Sequence, residues 1–130
     1  MVSGIEVREF ALTLPRTTLG YVRGSARYRI KQIVYAGVSP DEELMGFGFP
    51  KAERDGLVAG EPEKFLMPRE SDLRFNWVVV RLPAIDAEEM HELVLDAWTM
   101  CVPKFLSRVY RLANDWPLSE SWQLHAYRVP

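Results

Sequence analysis

The chain has 130 residues, of which 48% are hydrophobic and 26% charged, so it is large enough for one domain with its own core. Its single cysteine excludes an internal disulfide, and no apolar run approaches the roughly 20 residues that a membrane-spanning helix needs. The net charge of −2 argues against strong non-specific binding to nucleic acid.

The N-terminal segment predicts a short helix. It lacks the long apolar core of a signal peptide, so we expect a cytoplasmic protein. Ser3 and Glu6 have the spacing of a capping box, which predicts a helix that runs to about Leu14 and ends before Pro15. Residues 16–25 contain Gly20 and Gly24 and are expected to be irregular.

Three strands are predicted next, at residues 26–31, 33–38 and 42–49. The first alternates Tyr28 and Ile30 with basic residues, which is typical of an antiparallel strand with one solvated face. The first two segments lie so close together that they could also be one bent strand. In the third, Gly46 and Gly48 fall on one face, which indicates a bulge or the close approach of another group.

The second half predicts a short helix at 51–59, a loop at 61–73 and a central strand at 74–82. Asp86 and Glu89 then open an amphipathic helix that reaches Cys101. We expect the apolar stripe of this helix, with Cys101 as a buried and inert thiol, to pack on the sheet that contains Trp77 and Val79. A last helix is predicted at 104–113, and 123–129 could form a final strand.

These elements predict an α+β fold of two layers, with an antiparallel sheet and helices on one of its faces. Residues 1–113 would form a single domain, and 114–130 a C-terminal extension that contains Trp116, Trp122 and Tyr127.

No pattern of catalytic chemistry is present. The histidines, His91 and His125, have no neighbours at ligand spacing, and we find no phosphate-binding loop or nucleophile motif. We therefore expect no enzyme and no cofactor. An acidic helix face could hold a cation, although such charges usually only solvate a helix; it comprises Glu88, Glu89, Glu92 and Asp96.

Charge is unevenly distributed along the chain. Residues 16–31 carry five cations and no acid, whereas 41–72 carry nine acids against four cations. Basic side chains on one strand face could follow a phosphate backbone. The alternative is a solvated strand face whose cations pair with acids such as Glu42 and Glu43. The candidate nucleic-acid-binding residues are Arg23, Arg27, Arg29, Lys31, Lys104 and Arg108.

An ordered set of short segments within residues 5–110 resembles the MmcQ/YjbR-like family. It comprises residues 10–15 (FALTLP), 24–30 (GSARYRI), 34–36 (VYA), 52–55 (AERD), 62–65 (PEKF), 77–82 (WVVVRL), 97–98 (AW) and 102–104 (VPK). The resemblance implies the frataxin-like (CyaY-like) fold, a strongly bent antiparallel sheet with terminal helices packed on it. It also implies a DNA-binding "double wing" protein without established catalytic residues. Many relatives carry a lysine where this chain has Ile33, and another near Gly48.

Three functions therefore stand as hypotheses. The first is binding of double-stranded DNA through the basic strand face. The second is a non-enzymatic module that binds a protein or a small ligand at the glycine-lined strand face or through the aromatic tail. The third is metal handling, suggested by the likeness to frataxin and by the acidic helix face.

Overall fold

The computed structural model describes residues 1–114, which form four α-helices, two three-residue 3-10 helices and a sheet of six antiparallel strands. The helices are α1 Gly4–Ala11, α2 Lys51–Gly60, α3 Ala87–Thr99 and α4 Lys104–Ala113. The strands are β1 Thr17–Val22, β2 Ser25–Ile30, β3 Ile33–Val38, β4 Leu44–Gly48, β5 Phe65–Leu66 and β6 Trp77–Arg81. Their order in the sheet is β1-β2-β3-β4-β6-β5, so β6 lies between β4 and β5. The predicted α+β class is confirmed.

The helix starts follow the caps that the sequence indicates. Ser3 and Glu6 form the capping box of α1, in which each side chain bonds the other residue's backbone N–H. The Asp86 carboxylate accepts the backbone N–H of Glu89 at the start of α3, 2.8 Å away. Because α1 ends at Ala11 rather than near Leu14, the chain turns early and the Pro15 carbonyl accepts the indole N–H of Trp98 at 2.9 Å.

Two tight hairpins build the first half of the sheet. Arg23 and Gly24 join β1 to β2 with φ values of 53° and 83°, as a two-residue type I′ turn requires. Residues 31–32 join β2 to β3, with Lys31 at a φ of 55°. The prediction of an irregular segment at 16–25 was therefore wrong, because Gly20 lies within β1 and Gly24 in a turn. Lys31 belongs to a turn, and the segments on either side of it are two strands.

The core lies between the sheet and the helices. Residues facing it include Tyr28 on β2, Phe47 on β4, and Val78 and Val80 on β6, and all four are at most 1% exposed. Helices α1 and α3 cover this face, and Trp98 of α3 is fully buried. We call the opposite side the open face.

Helix α3 packs on the sheet that contains Trp77 and Val79, as predicted, but Val78 and Val80 face the core while Trp77 and Val79 lie on the open face. Both faces of this strand are apolar, so alternation alone could not assign them. In α4 the bounds are as predicted, and the helix buries Ser107 and Arg111 while Val109 is 57% exposed. The predicted loop at 61–73 contains β5, whose two residues pair with β6. Except for Asn114, the predicted extension and its strand lie outside the described residues.

Candidate functional site on the open face of the sheet

The β2 hairpins bring four of the six candidate residues together. Arg27 and Arg29 are two positions apart on β2, so both project from the open face. Arg23 and Lys31 occupy the turns at the two ends of the same strand and are exposed. We call these four residues the β2 cations.

Glycines on the neighbouring strands set the directions of the two strand arginines. Arg29 extends over β1, where its Nη2 lies 3.5 Å from the position that a Cβ would take at Gly20. The Cδ of Arg27 lies 3.7 Å from the corresponding position at Gly37 of β3. Arg29 thus reaches towards the edge of the sheet, while Arg27 reaches towards its centre.

Two acids that follow β3, Asp41 and Glu42, bond groups other than the β2 cations. Glu42 accepts the backbone N–H of Gly4 at 2.8 Å. Asp41 accepts the Ser39 hydroxyl at 2.6 Å and the Glu43 backbone N–H at 3.0 Å, and these bonds hold the pKa of its carboxyl below the usual value. Across residues 1–114, the ion pairs are Lys64–Glu61, Lys64–Glu89, Arg69–Asp72 and Arg111–Asp96, and none involves a β2 cation.

The other two candidate residues, Lys104 and Arg108, lie on α4. This helix packs on α3, where the rings of Tyr110 and Trp98 are 5.2 Å apart and Arg111 contacts Asp96 at 2.9 Å. No contact in the described part of the chain joins Lys104 or Arg108 to the β2 cations. The sequence could not show this separation, because it depends on which side of the sheet the last helix packs.

A trough of about 1170 Å³ lies over the open face, next to Arg27. Its floor is formed by β3, β4 and β6, where Gly37, Gly46 and Val79 are paired side by side. Residues 66–77 form one long wall, and Met100 and Cys101 close one end. The trough was not predicted, although the two glycines on one strand face were a sign of it.

The side chain of Trp77 explains why residue 46 is a glycine. A Cβ at Gly46 would lie 2.6 Å from Nε1 and Cζ2 of the Trp77 indole, so only glycine leaves room for the ring. The approaching group that the sequence left unidentified is therefore Trp77. A Cβ at Gly48 would make ordinary contacts with Ala97 and Met100, at 3.7 and 3.8 Å.

A buried arginine, which the sequence did not predict, bonds the backbone of the trough wall at residues 73–77. Arg54 of α2 is 7% exposed, and its guanidinium donates to the backbone carbonyls of Leu73, Phe75 and Trp77 at 2.9 to 3.1 Å. An arginine among surface-type residues gives no sequence signal of burial. It fixes the backbone where the wall joins β6.

The acidic face of α3 is not assembled as a metal site. Within residues 1–114, no group of three or more histidine, cysteine or carboxylate side chains could hold an ion. Burial raises the pKa of Asp96 although Arg111 opposes the shift, and burial and nearby acids raise that of Glu92. His91 stacks on Phe10 of α1 at 4.1 Å, so it contributes to helix packing.

Cys101 is half-buried, and burial raises the pKa of its thiol. The predicted burial is therefore only partial, the raised pKa lowers the thiolate fraction at neutral pH, and the inert thiol stays a prediction. None of the described helices is long and apolar enough to cross a membrane.

Comparisons with known proteins agree with the fold. The sequence model of the YjbR family matches residues 12–100, which is more than half of the chain. The chain belongs to the YjbR family. It is similar to the crystal structure of the Deinococcus radiodurans protein DR2400, which has a DUF419 domain, with a TM-score of 0.67 and 16% identity over 90% of this chain and 91% of that one. The sequence matches no curated protein.

Proposed function

We propose that this YjbR-family protein binds the DNA backbone through the β2 cations Arg23, Arg27, Arg29 and Lys31. The observation that carries the proposal is that these four charges make no ion pair within residues 1–114, although the chain as a whole is acidic. A solvated face neutralised by Glu42 and Glu43 was the competing interpretation. Glu42 is instead bonded to the backbone of α1.

The geometry suits phosphate contacts. Lys31, Arg29, Arg27 and Arg23 follow one strand from turn to turn, so four cations leave a single extended segment, with Arg29 reaching over β1 and Arg27 towards β3. Phosphate neutralisation releases counterions, so binding through four cations should weaken with added salt at a log–log slope of up to about −3.6. Backbone contacts of this kind position a protein on DNA without reading its sequence.

Lys104 and Arg108 provide a matched control for the test. The double variant Arg27→Gln/Arg29→Gln and the double variant Lys104→Gln/Arg108→Gln remove the same charge, one from β2 and the other from α4. Fluorescence anisotropy with a mixed-sequence duplex, over a salt series, measures both.

We expect the β2 variant to bind about tenfold or more weakly at low salt and to lose about 1.8 from the salt slope. The α4 variant should stay within about threefold of the wild type. Equal losses in the two variants would mean that only net charge matters, and no wild-type binding at low salt would reject the proposal outright.

A further inference from the structure

The trough beside Arg27 differs from the β2 cation line in its chemistry. Much of its lining is apolar, and several of these side chains are exposed: Val22 by 37%, Leu44 by 37%, Met67 by 41% and Phe75 by 50%. Together with Leu66 and Val79 they surround one concave space. Its volume, about 1170 Å³, is at or slightly above the size usual for sites that enclose small molecules.

The polar groups of the trough are biased towards donors. The Ser25 hydroxyl donates to the Val38 carbonyl at 2.8 Å, and the carboxylate of Asp72 accepts from Arg69 at 3.2 Å, so these lining groups are already engaged. The groups left over include the guanidinium groups of Arg23 and Arg27, the indole N–H of Trp77 and the side-chain NH2 of Asn76. A site with spare donors, spare positive charge and apolar walls is complementary to an anion with an apolar body.

We propose that the trough binds a small amphipathic organic anion. Its carboxylate, sulfonate or phosphate group would lie on Arg27, and its planar or aliphatic body would pack between Val79 on the floor and Phe75 on the wall. A polynucleotide fits this space poorly, because a phosphate chain needs cations along its whole path, whereas the wall at residues 66–77 is largely apolar and its Arg69 is already paired with Asp72. The site goes beyond the DNA proposal and shares with it only Arg23 and Arg27.

Separate substitutions of Arg27 and Arg29 distinguish this site from the proposed DNA site. Arg27 lines the trough, whereas Arg29 extends over Gly20 on the other side of β2. The anionic dye 8-anilino-1-naphthalenesulfonate serves as the probe, because it combines aromatic rings with a sulfonate and fluoresces when it leaves water.

Titration of the folded protein should show saturable binding of one dye molecule. Arg27→Gln should weaken it about tenfold or more, and Arg29→Gln should leave it within about twofold, because only the first substitution removes a charge from the trough. Val79→Trp should abolish binding by filling the floor. DNA titrations would respond to both arginines alike, so the two proposals can fail independently.

Cys101 gives a second readout that does not depend on Val79→Trp folding correctly. It is the single cysteine of the chain and closes one end of the trough, so bound dye should slow its alkylation by iodoacetamide several-fold in the wild type and in Arg29→Gln. The same dye concentration should give no protection in Arg27→Gln. Dye binding that is equal in the two arginine variants, or that leaves Cys101 unprotected, would overturn the proposal.

Discussion

The two faces of the sheet are built from the same strands and from similar residues, yet they differ in use. On β6, Val78 and Val80 are completely buried under the helices, while Val79 between them is half-buried on the floor of the trough. On β2, Tyr28 faces the core and its neighbour Arg27 the open side. The hydrophobicity of the residues therefore does not decide which face of the sheet forms the core. The elements that pack over each face decide it.

The largest expected difference between the faces is in the free energy of unfolding that is lost when a tryptophan is replaced by alanine. Trp98 is fully buried in the helix layer, and Trp98→Ala should lower the free energy of unfolding by about 3–5 kcal/mol. Trp77→Ala removes the same side chain from the open face and should cost only about 1 kcal/mol, because Trp77 is partly exposed. Urea denaturation of both variants tests this. Similar losses would mean that the open face carries as much of the core as the covered face does.

A smaller effect is expected where the open face is crowded. Gly46→Ala places a Cβ within 2.6 Å of the Trp77 indole, so we expect a loss of about 1–3 kcal/mol in the free energy of unfolding. The same substitution in the Trp77→Ala background should cost much less, since the ring is gone.

Gly56→Ala is the control for that substitution. Gly56 lies in α2 with no atom within 4 Å of the added Cβ, and alanine there should stabilise the protein by about 0.5–1 kcal/mol. Gly46→Ala without loss of stability, or a loss that Trp77→Ala fails to relieve, would show that the indole does not fill this position.

Another effect is expected only at high pH and concerns the core face. Burial raises the pKa of Tyr28 and of Tyr35 from 10.0 to about 12. The folded state then holds its protons more tightly than the unfolded chain, so the stabilisation is complete below pH 10 and is lost as the pH rises towards 12.

Urea midpoints measured from pH 9 to 12 should therefore fall less steeply in Tyr28→Phe than in the wild type. Tyr35→Phe should share this behaviour but start about 1 kcal/mol lower at neutral pH, because the Tyr35 hydroxyl bonds that of Thr17 at 2.9 Å. An unchanged pH profile in both variants would contradict the buried-phenol explanation.

The sequence predicted most of the fold because local signals were strong. The caps at Ser3 and Asp86 and the alternation around Tyr28 each depend on neighbouring residues alone. It missed β1, since an edge strand with a central glycine has little apolar pattern to detect. The sequence left open which face of β6 is covered, because the packing of the helices depends on contacts between distant residues.

The candidate site was predicted only in part for the same reason. Four of its cations are close in sequence and therefore close in space, along one strand and its two turns. Lys104 and Arg108 were grouped with them by charge, and charge carries no information on position. The trough depends on β4, on β6 and on the clamp that Arg54 makes on residues 73–77, which are far apart in sequence.

The insertion of β6 between β4 and β5 has a consequence for the folding rate. Strands β1 to β4 follow one another through short connections, so their pairing closes only short loops. In contrast, Leu44 pairs with Arg81 and Gly48 pairs with Trp77, although α2 and β5 lie between these residues in the sequence. The β4–β6 pairing therefore raises the contact order of the chain. We expect it to form late, with substitutions there changing the unfolding rate more than the folding rate.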